Sequence, residues 1–155
     1  MSTAEGAPSP PSRIYVIEVG DREYAVSARA VDTVRDGGEL QPLRYAGDSL
    51  VGAVDVDGRE SLVFDLHWRL GVARSQALDA CQLVVTGGRG QRRVYAVGQV
   101  HGPVRVHPGA FEPLAPDGVP AQLGYLRGLL QHDGRQLPWL DLDLLGPKGR
   151  RQHAA

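Results

Sequence analysis

The sequence predicts an all-β fold, and three observations predict it. Short apolar runs rich in Val, Leu and Tyr alternate with turn signals along most of the chain. Two of those turns are Asp-Gly, at Asp57-Gly58 and Asp133-Gly134, each flanked by apolar runs. Both residues of an Asp-Gly pair tolerate positive φ, which is what a tight hairpin needs. Gly and Pro number 20 and 11 of 155 residues, a turn-rich composition that leaves little room for long helices.

Taken in order, strands are expected near Ile14–Val19, Glu23–Ser27, Val31–Arg35, Ser49–Val56 and Glu60–Phe64. Further strands are expected near Ala80–Thr86, Arg92–Val100, Val104–His107, Tyr125–His132 and Arg135–Leu140. Gly20-Asp21, Gly37-Gly38 and Gly87-Gly88 separate several of them, and a Pro-rich loop is expected from Pro108 to Pro120. Many short strands at this spacing indicate a barrel or sandwich. Helix is expected only as single turns, LHWRLG after Asp65 and LDLLG after Asp141, each with Asp as N-cap and Gly beyond its end. Residues 1–12, small, polar and Pro-rich, are expected to be a disordered tail, and residues 147–155 a second one.

Composition narrows the function classes. Hydrophobic residues make up 42% of the chain, enough for a folded core, and 17 basic residues against 18 acidic leave a net charge of −1. That balance gives no reason to expect nucleic acid or an anionic membrane as partner. The start lacks the basic and apolar regions of a signal peptide, and no apolar run is long enough to span a bilayer, so a cytoplasmic protein without membrane insertion is expected. Cys81, the one cysteine, sits in the apolar run CQLVV and reads as a buried thiol. Trp139 reads as core, whereas the exposure of Trp68 is evenly balanced.

Two stretches resemble each other. GAVDVDGRESLVFDLHWRLG begins at Gly52 and GLLQHDGRQLPWLDLDLLG at Gly128, 76 positions later. At that offset Gly52, Asp57, Gly58, Arg59, Asp65 and Leu66 meet Gly128, Asp133, Gly134, Arg135, Asp141 and Leu142. The reading is one unit used twice, at 50–71 and 125–146: strand, Asp-Gly turn, strand, Asp-capped helical turn. An acid/base pair would need two carboxyls converging on one substrate in contrasting environments. Asp65 and Asp141 instead sit at equivalent ends of two similar units, so both are expected to be structural caps, and Gly134, like Gly58, a turn residue.

Other chemical motifs fail. VDVDG lacks the later ligands of a calcium loop, since Glu60 stands at its sixth position and Leu66 at its twelfth. GGRG at Gly87–Gly90 is not followed by Gly-Lys-Ser/Thr and joins strands. The five histidines show no zinc-ligand spacing. No catalytic residue, metal site or cofactor is expected.

With these residues in hand, the chain resembles the CheW-like domain, the adaptor of bacterial chemosensory arrays, over about residues 13–146. Three segments carry the resemblance: IYVIEVGDREYAVSARAVDTV, LVGAVDVDGRESLVFDLHWRLG and YLRGLLQHDGRQLPWLDLDLLG. Their order and spacing match the family's opening strands with a following V-x-x-V, its central Gly-Val…Asp-Leu…Leu-Gly motif, and its closing strand pair with a final short helix. The resemblance implies two SH3-like five-stranded β-barrel subdomains with short helical turns around a shared core. It implies a non-enzymatic adaptor that couples a chemoreceptor's cytoplasmic tip, or a divergent substitute, to the regulatory domain of a CheA-type histidine kinase. A receptor helix would lie in a groove whose expected contacts are Val31, Thr33, Val34, Gly52, Asp57 and Gly58, with Gly52 allowing close approach of the helix.

This chain departs from the family pattern in three places. Thr33 stands where an acid is usual, Asp57 where Arg usually precedes the Gly of the central motif, and Val97-Gly98-Gln99-Val100 where Val-Asp-x-Val is common. Replacing Arg by Asp changes the local charge by two units and removes a planar donor fork. The expected partner is therefore an unusual receptor or another signalling or polar-localisation protein. Two other classes stand beside this one: a small barrel module for nucleic acid or polysaccharide, opposed by the charge and the lack of a basic-aromatic stripe, and a small enzyme, for which no constellation is visible.

Overall fold

A computed structural model describes residues 9–43, 49–88, 90–114 and 124–145. Twelve strands run through these residues: β1 Arg13–Val19, β2 Arg22–Ser27, β3 Thr33–Asp36, β4 Gln41–Pro42, β5 Leu50–Val56 and β6 Arg59–Asp65, then β7 Gln82–Thr86, β8 Arg93–Val97, β9 Val100–Arg105, β10 Phe111–Pro113, β11 Leu126–His132 and β12 Arg135–Leu140. One α-helical turn, α1, spans Leu66–Leu70, and 3₁₀ turns occupy several connections. The strands form two six-stranded curled sheets, ordered β10-β11-β12-β2-β1-β9 and β4-β5-β6-β8-β7-β3. Each holds five strands that overlap those the sequence indicates plus one short strand, β10 or β4; the strand expected at Val104–His107 is β9, Val100–Arg105.

The two sheets repeat one plan. In each, two hairpins are joined by a parallel pairing: β6 with β8 through Phe64 opposite Tyr95, and β12 with β2 through Leu140 opposite Val26. The register of β5 on β6 shifts between Leu50 and Gly52, and that of β11 on β12 between Leu126 and Gly128, the same place in both. The second sheet is continuous in sequence, from β3 to β8. The first is assembled from β9–β12 and the β1–β2 hairpin, so it follows the same strand plan from a different starting point.

Three clusters form the core. Val54, Val56, Val63, Leu83, Val85, Val94 and Ala96 fill one sheet. Ile14, Val16, Ala25, Phe111, Leu130, Leu137 and Trp139 fill the other, with Phe111 and Trp139 packed edge to face at 4.9 Å. The largest cluster joins the two and includes Ile17, Val19, Val26, Leu66, Val84, Tyr95, Leu140 and Leu142. Each Val, Leu, Ile or Phe side chain removed from water contributes about 1.5–3 kcal/mol before entropy is counted. Polar contacts cross the same junction: Tyr95 donates its hydroxyl hydrogen to the Leu142 carbonyl at 3.3 Å, and the Gly98 amide donates to Glu18 at 2.6 Å.

Four expectations need correcting. The run Arg92–Val100 is not one strand: Gly98 and Gln99 turn the chain from one sheet to the other, and a Cβ at Gly98 would meet the Glu18 carbonyl oxygen at 2.8 Å. The segment expected as a strand from Val31 begins at Thr33, after a 3₁₀ turn over Ala28–Ala30 capped by Ser27. The Pro-rich loop contains β10, and its residues 115–120 lie outside the described ones. The ordered body starts before residue 13, because Pro11 is buried and the Ser12 carbonyl accepts from the Val106 amide at 2.9 Å. Residues 1–8 and 146–155, which include the rest of both expected tails and Gly146, are outside the described residues.

Candidate protein-interaction site

The expected groove residues fall on two elements of the second sheet. Val31 follows the 3₁₀ turn and packs, half-buried, against the inter-sheet core. Thr33 and Val34 begin the edge strand β3, opposite Val85 and Val84, and are also half-buried. Asp57 and Gly58 form the exposed tip of the β5–β6 hairpin, with φ of 53° and 82°. Asp55 closes that turn by accepting the Gly58 amide at 2.8 Å.

The β7–β8 loop connects these two elements. The Gly88 amide donates to the Asp32 carboxylate at 2.7 Å. Arg92 donates to the Gly88 carbonyl at 3.2 Å and to the Val56 carbonyl at 3.4 Å. Val31–Val34 and Asp57–Gly58 therefore stand on opposite sides of one loop, at one end of the sheet. Arg92 and Asp32 were not among the expected site residues. The sequence signals neither: no spacing rule singles out Arg92 among the three Arg of GGRGQRR, nor Asp32 among the acids around it.

Gly52 is placed differently from its expected role. It is buried on β5 and pairs with Pro42 of β4, and a Cβ there would meet the Gln41 carbonyl oxygen at 2.6 Å and the Leu40 side chain at 2.7 Å. The chain's own strand takes the space that a partner helix was expected to use. Gly128 repeats the arrangement: it pairs with Pro113 of β10, and a Cβ would meet the Glu112 carbonyl oxygen at 2.5 Å.

Asp65 and Asp141 each close their own unit. Asp65 is buried; its Oδ1 accepts from the His67 amide at 2.9 Å and stands 2.8 Å from His67 Nδ1, and its Oδ2 lies 3.5 Å from Arg74 Nε. Asp141 accepts from the Asp143 amide and from Arg127 Nε, both at 3.0 Å. Their own amides donate to Ser49 and Tyr125, which are equivalent residues of the repeat. Gly71 ends α1 with φ 72°. Gly134 sits at φ 73° behind Asp133 at 51°, matching the Asp57-Gly58 turn.

Burial sets the remaining chemistry. Cys81 is buried, which pushes its thiol pKa up, with Arg74 pulling the other way. Burial also pushes the Tyr95 phenol up to about 12. Trp139 is in the core, whereas Trp68 on α1 is 57% exposed. Beside it, Arg69 lies over the Tyr125 ring at 5.3 Å and ties α1 to the other sheet. Among the described residues no group of three or more His, Cys, Asp or Glu side chains is placed to hold a metal ion, and no helix is long and apolar enough to cross a membrane.

Two curled sheets fused through one core define a paired-barrel fold. The family model for the CheW-like domain matches residues 13–148, and the chain belongs to that family. The chemotaxis protein CheW of Rhizobium meliloti (strain 1021) is 22% identical over 141 residues, covering 91% of each chain. The crystal structure of the scaffolding protein TtCheW from Thermoanaerobacter tengcongensis superposes with a TM-score of 0.75 at 19% identity, covering 88% of this chain and 93% of that one.

Proposed function

We propose that this protein is a non-enzymatic adaptor of a chemosensory system, coupling a chemoreceptor or another signalling protein to a CheA-type histidine kinase. The observation that carries the reading is the CheW-like paired-barrel fold across nearly the whole described chain. The partner surface in this reading is the end of the second sheet, with Val31, Thr33 and Val34 on one side of the β7–β8 loop and Asp57 and Gly58 on the other. Half-buried apolar groups beside an exposed tip suit the apolar face of a helix with polar flanks. The kinase docks elsewhere on the barrels in this reading, and the adaptor acts where its membrane-associated partners gather.

The experiment is titration of the full chain against the receptor cytoplasmic tips and the CheA-type kinase regulatory domains of its own genome. Binding to at least one of each supports coupling; binding to neither ends it. A second reading, a partner that is not a receptor, is favoured by Thr33 and Asp57. It gains if the kinase domain binds and every receptor tip fails.

A further inference from the structure

We propose that the recess between the Ser9–Arg13 segment and the connection after β2 is a binding site for a phosphate group. The recess has a volume of about 550 Å³; Arg13, Arg29, Ser9, Ser12 and Ser27 line it, and among the described residues no Asp or Glu does. It lies beside the β1–β2 hairpin of the first sheet and does not depend on the adaptor reading.

Its walls are held. Pro11 is buried, and Ser12 is tied to Val106 through its carbonyl. Ser27 Oγ accepts the Arg29 amide at 3.2 Å, which occupies an acceptor site and leaves the hydroxyl hydrogen to donate outward. Arg13 stands opposite Arg105 across the β1–β9 pair. Like charges facing each other across a sheet repel. The ion pairs among the described residues are all made by other side chains than Arg13, Arg29 and Arg105. A bound anion would relieve that repulsion.

The donor count selects the anion. A carboxylate offers two oxygens and one charge. A phosphate monoester offers three terminal oxygens and nearly two charges at neutral pH. The residues lining the recess carry two guanidinium groups and three hydroxyls, which match the larger set in number, and Arg forks bind such oxygens in pairs. A smaller adjoining recess of about 250 Å³ shares Ser9, Ser27 and Arg29 but brings in Asp141 and Asp143. Asp141 already serves Arg127 and the Asp143 amide, so Asp143 marks the side on which an anion is excluded.

The phosphate could arrive free or on a phosphorylated side chain of a partner, and the test separates these sources. Amide shifts of the ¹⁵N-labelled full chain are followed with inorganic phosphate, with a short phosphoserine peptide, and with its unphosphorylated form, chloride holding the ionic strength constant. The expected result is saturable shifts at Ser12, Arg13 and Ser27–Arg29 with phosphate. Arg13→Gln and Arg29→Gln should each weaken binding about tenfold, the effect of losing one charge-assisted hydrogen bond. Arg22→Gln should leave it unchanged. Tighter binding of the phosphopeptide than of phosphate assigns the source to a partner; equal binding assigns it to free phosphate. Absence of saturable shifts with either phosphate probe, or shifts that persist unchanged in both Arg variants, overturns the site.

Discussion

Asp57 has a local reason to be Asp. Both residues of its turn carry positive φ, as do Asp133 and Gly134, and Asp is among the few side chains that accept the left-handed region readily. An Arg would sit there at a cost of about 1 kcal/mol. The turn by itself therefore favours Asp at this position, and a charge effect on a proposed partner is to be separated from it. Asp57→Asn keeps the backbone preference and removes the charge; it should leave the chemical-denaturation midpoint nearly unchanged. Asp57→Arg should lose about 1 kcal/mol yet bind ordinary receptor tips more tightly in the titration above. If the Asn variant gains equally, loss of the carboxylate is the cause and the Arg fork is not. The Asp-Gly turn itself was legible because few dipeptides tolerate that backbone. The link from Asp32 through Gly88 and Arg92 to Val56 was not, since it depends on three loops meeting.

Tyr95 gives a second prediction at this scale. An unfolded tyrosine ionises near 10, and burial holds the folded phenol at about 12. The protonated ring's contribution is complete below pH 10, and it is lost as pH rises through 12, when the folded phenol also ionises. Over that window stability should fall by roughly 2–3 kcal/mol. Cys81 and Tyr125, also raised by burial, act in the same direction. Denaturant titrations from pH 8 to 12 should show the decline, and Tyr95→Phe should flatten it while costing about 1 kcal/mol at neutral pH for the lost bond to Leu142.

Among the elements, the hairpins were legible and the short strands were not. β5–β6 and β11–β12 announce themselves by apolar runs around Asp-Gly. β4 and β10 have two and three residues, too few to show any period. For that reason the sequence alone offers Gly52 to a partner: the strand that needs its missing side chain is too short to leave a pattern. Likewise Arg92–Val100 reads as one apolar run because both sheets bury what it contributes, and only Gly98 hints at the crossing. The repeat yields a paired test. Gly52→Ala and Gly128→Ala should each destabilise by about 1–3 kcal/mol, because each Cβ would strike a backbone oxygen that cannot move without breaking a strand pair. Equal losses in denaturant titrations are expected; a neutral Gly52→Ala would show that β4 can be displaced.

For the whole molecule, the shared core dictates that the two sheets unfold together. Val84 and Tyr95 from one sheet and Val26 and Leu140 from the other lie in the same cluster, so neither sheet can open without exposing apolar surface of both. Trp139 reports on the first sheet and Trp68 on the second. In each single-tryptophan variant, Trp68→Phe and Trp139→Phe, the fluorescence of the remaining tryptophan and far-UV circular dichroism should therefore give coincident denaturant midpoints, and separated midpoints within one variant would mean two independent units. The paired-barrel class was legible through its resemblance in three segments. The junction was not, because its contacts join Glu18 with Gly98, Tyr95 with Leu142 and Arg69 with Tyr125, none of them near in sequence.

The first sheet's construction from both ends of the chain bears on synthesis. The β1–β2 hairpin is made before β3–β8, whereas β9, which pairs with β1, and β12, which pairs with β2, are made after them. In between, β3–β8 emerge as a contiguous set and can close on themselves. β1 and β2 must wait with their outer edges unpaired until β9 and β12 are made. The already closed sheet gives them somewhere to wait, because Ile17, Val19 and Val26 can shelter against Val84, Tyr95 and Leu66 before their own strand partners exist.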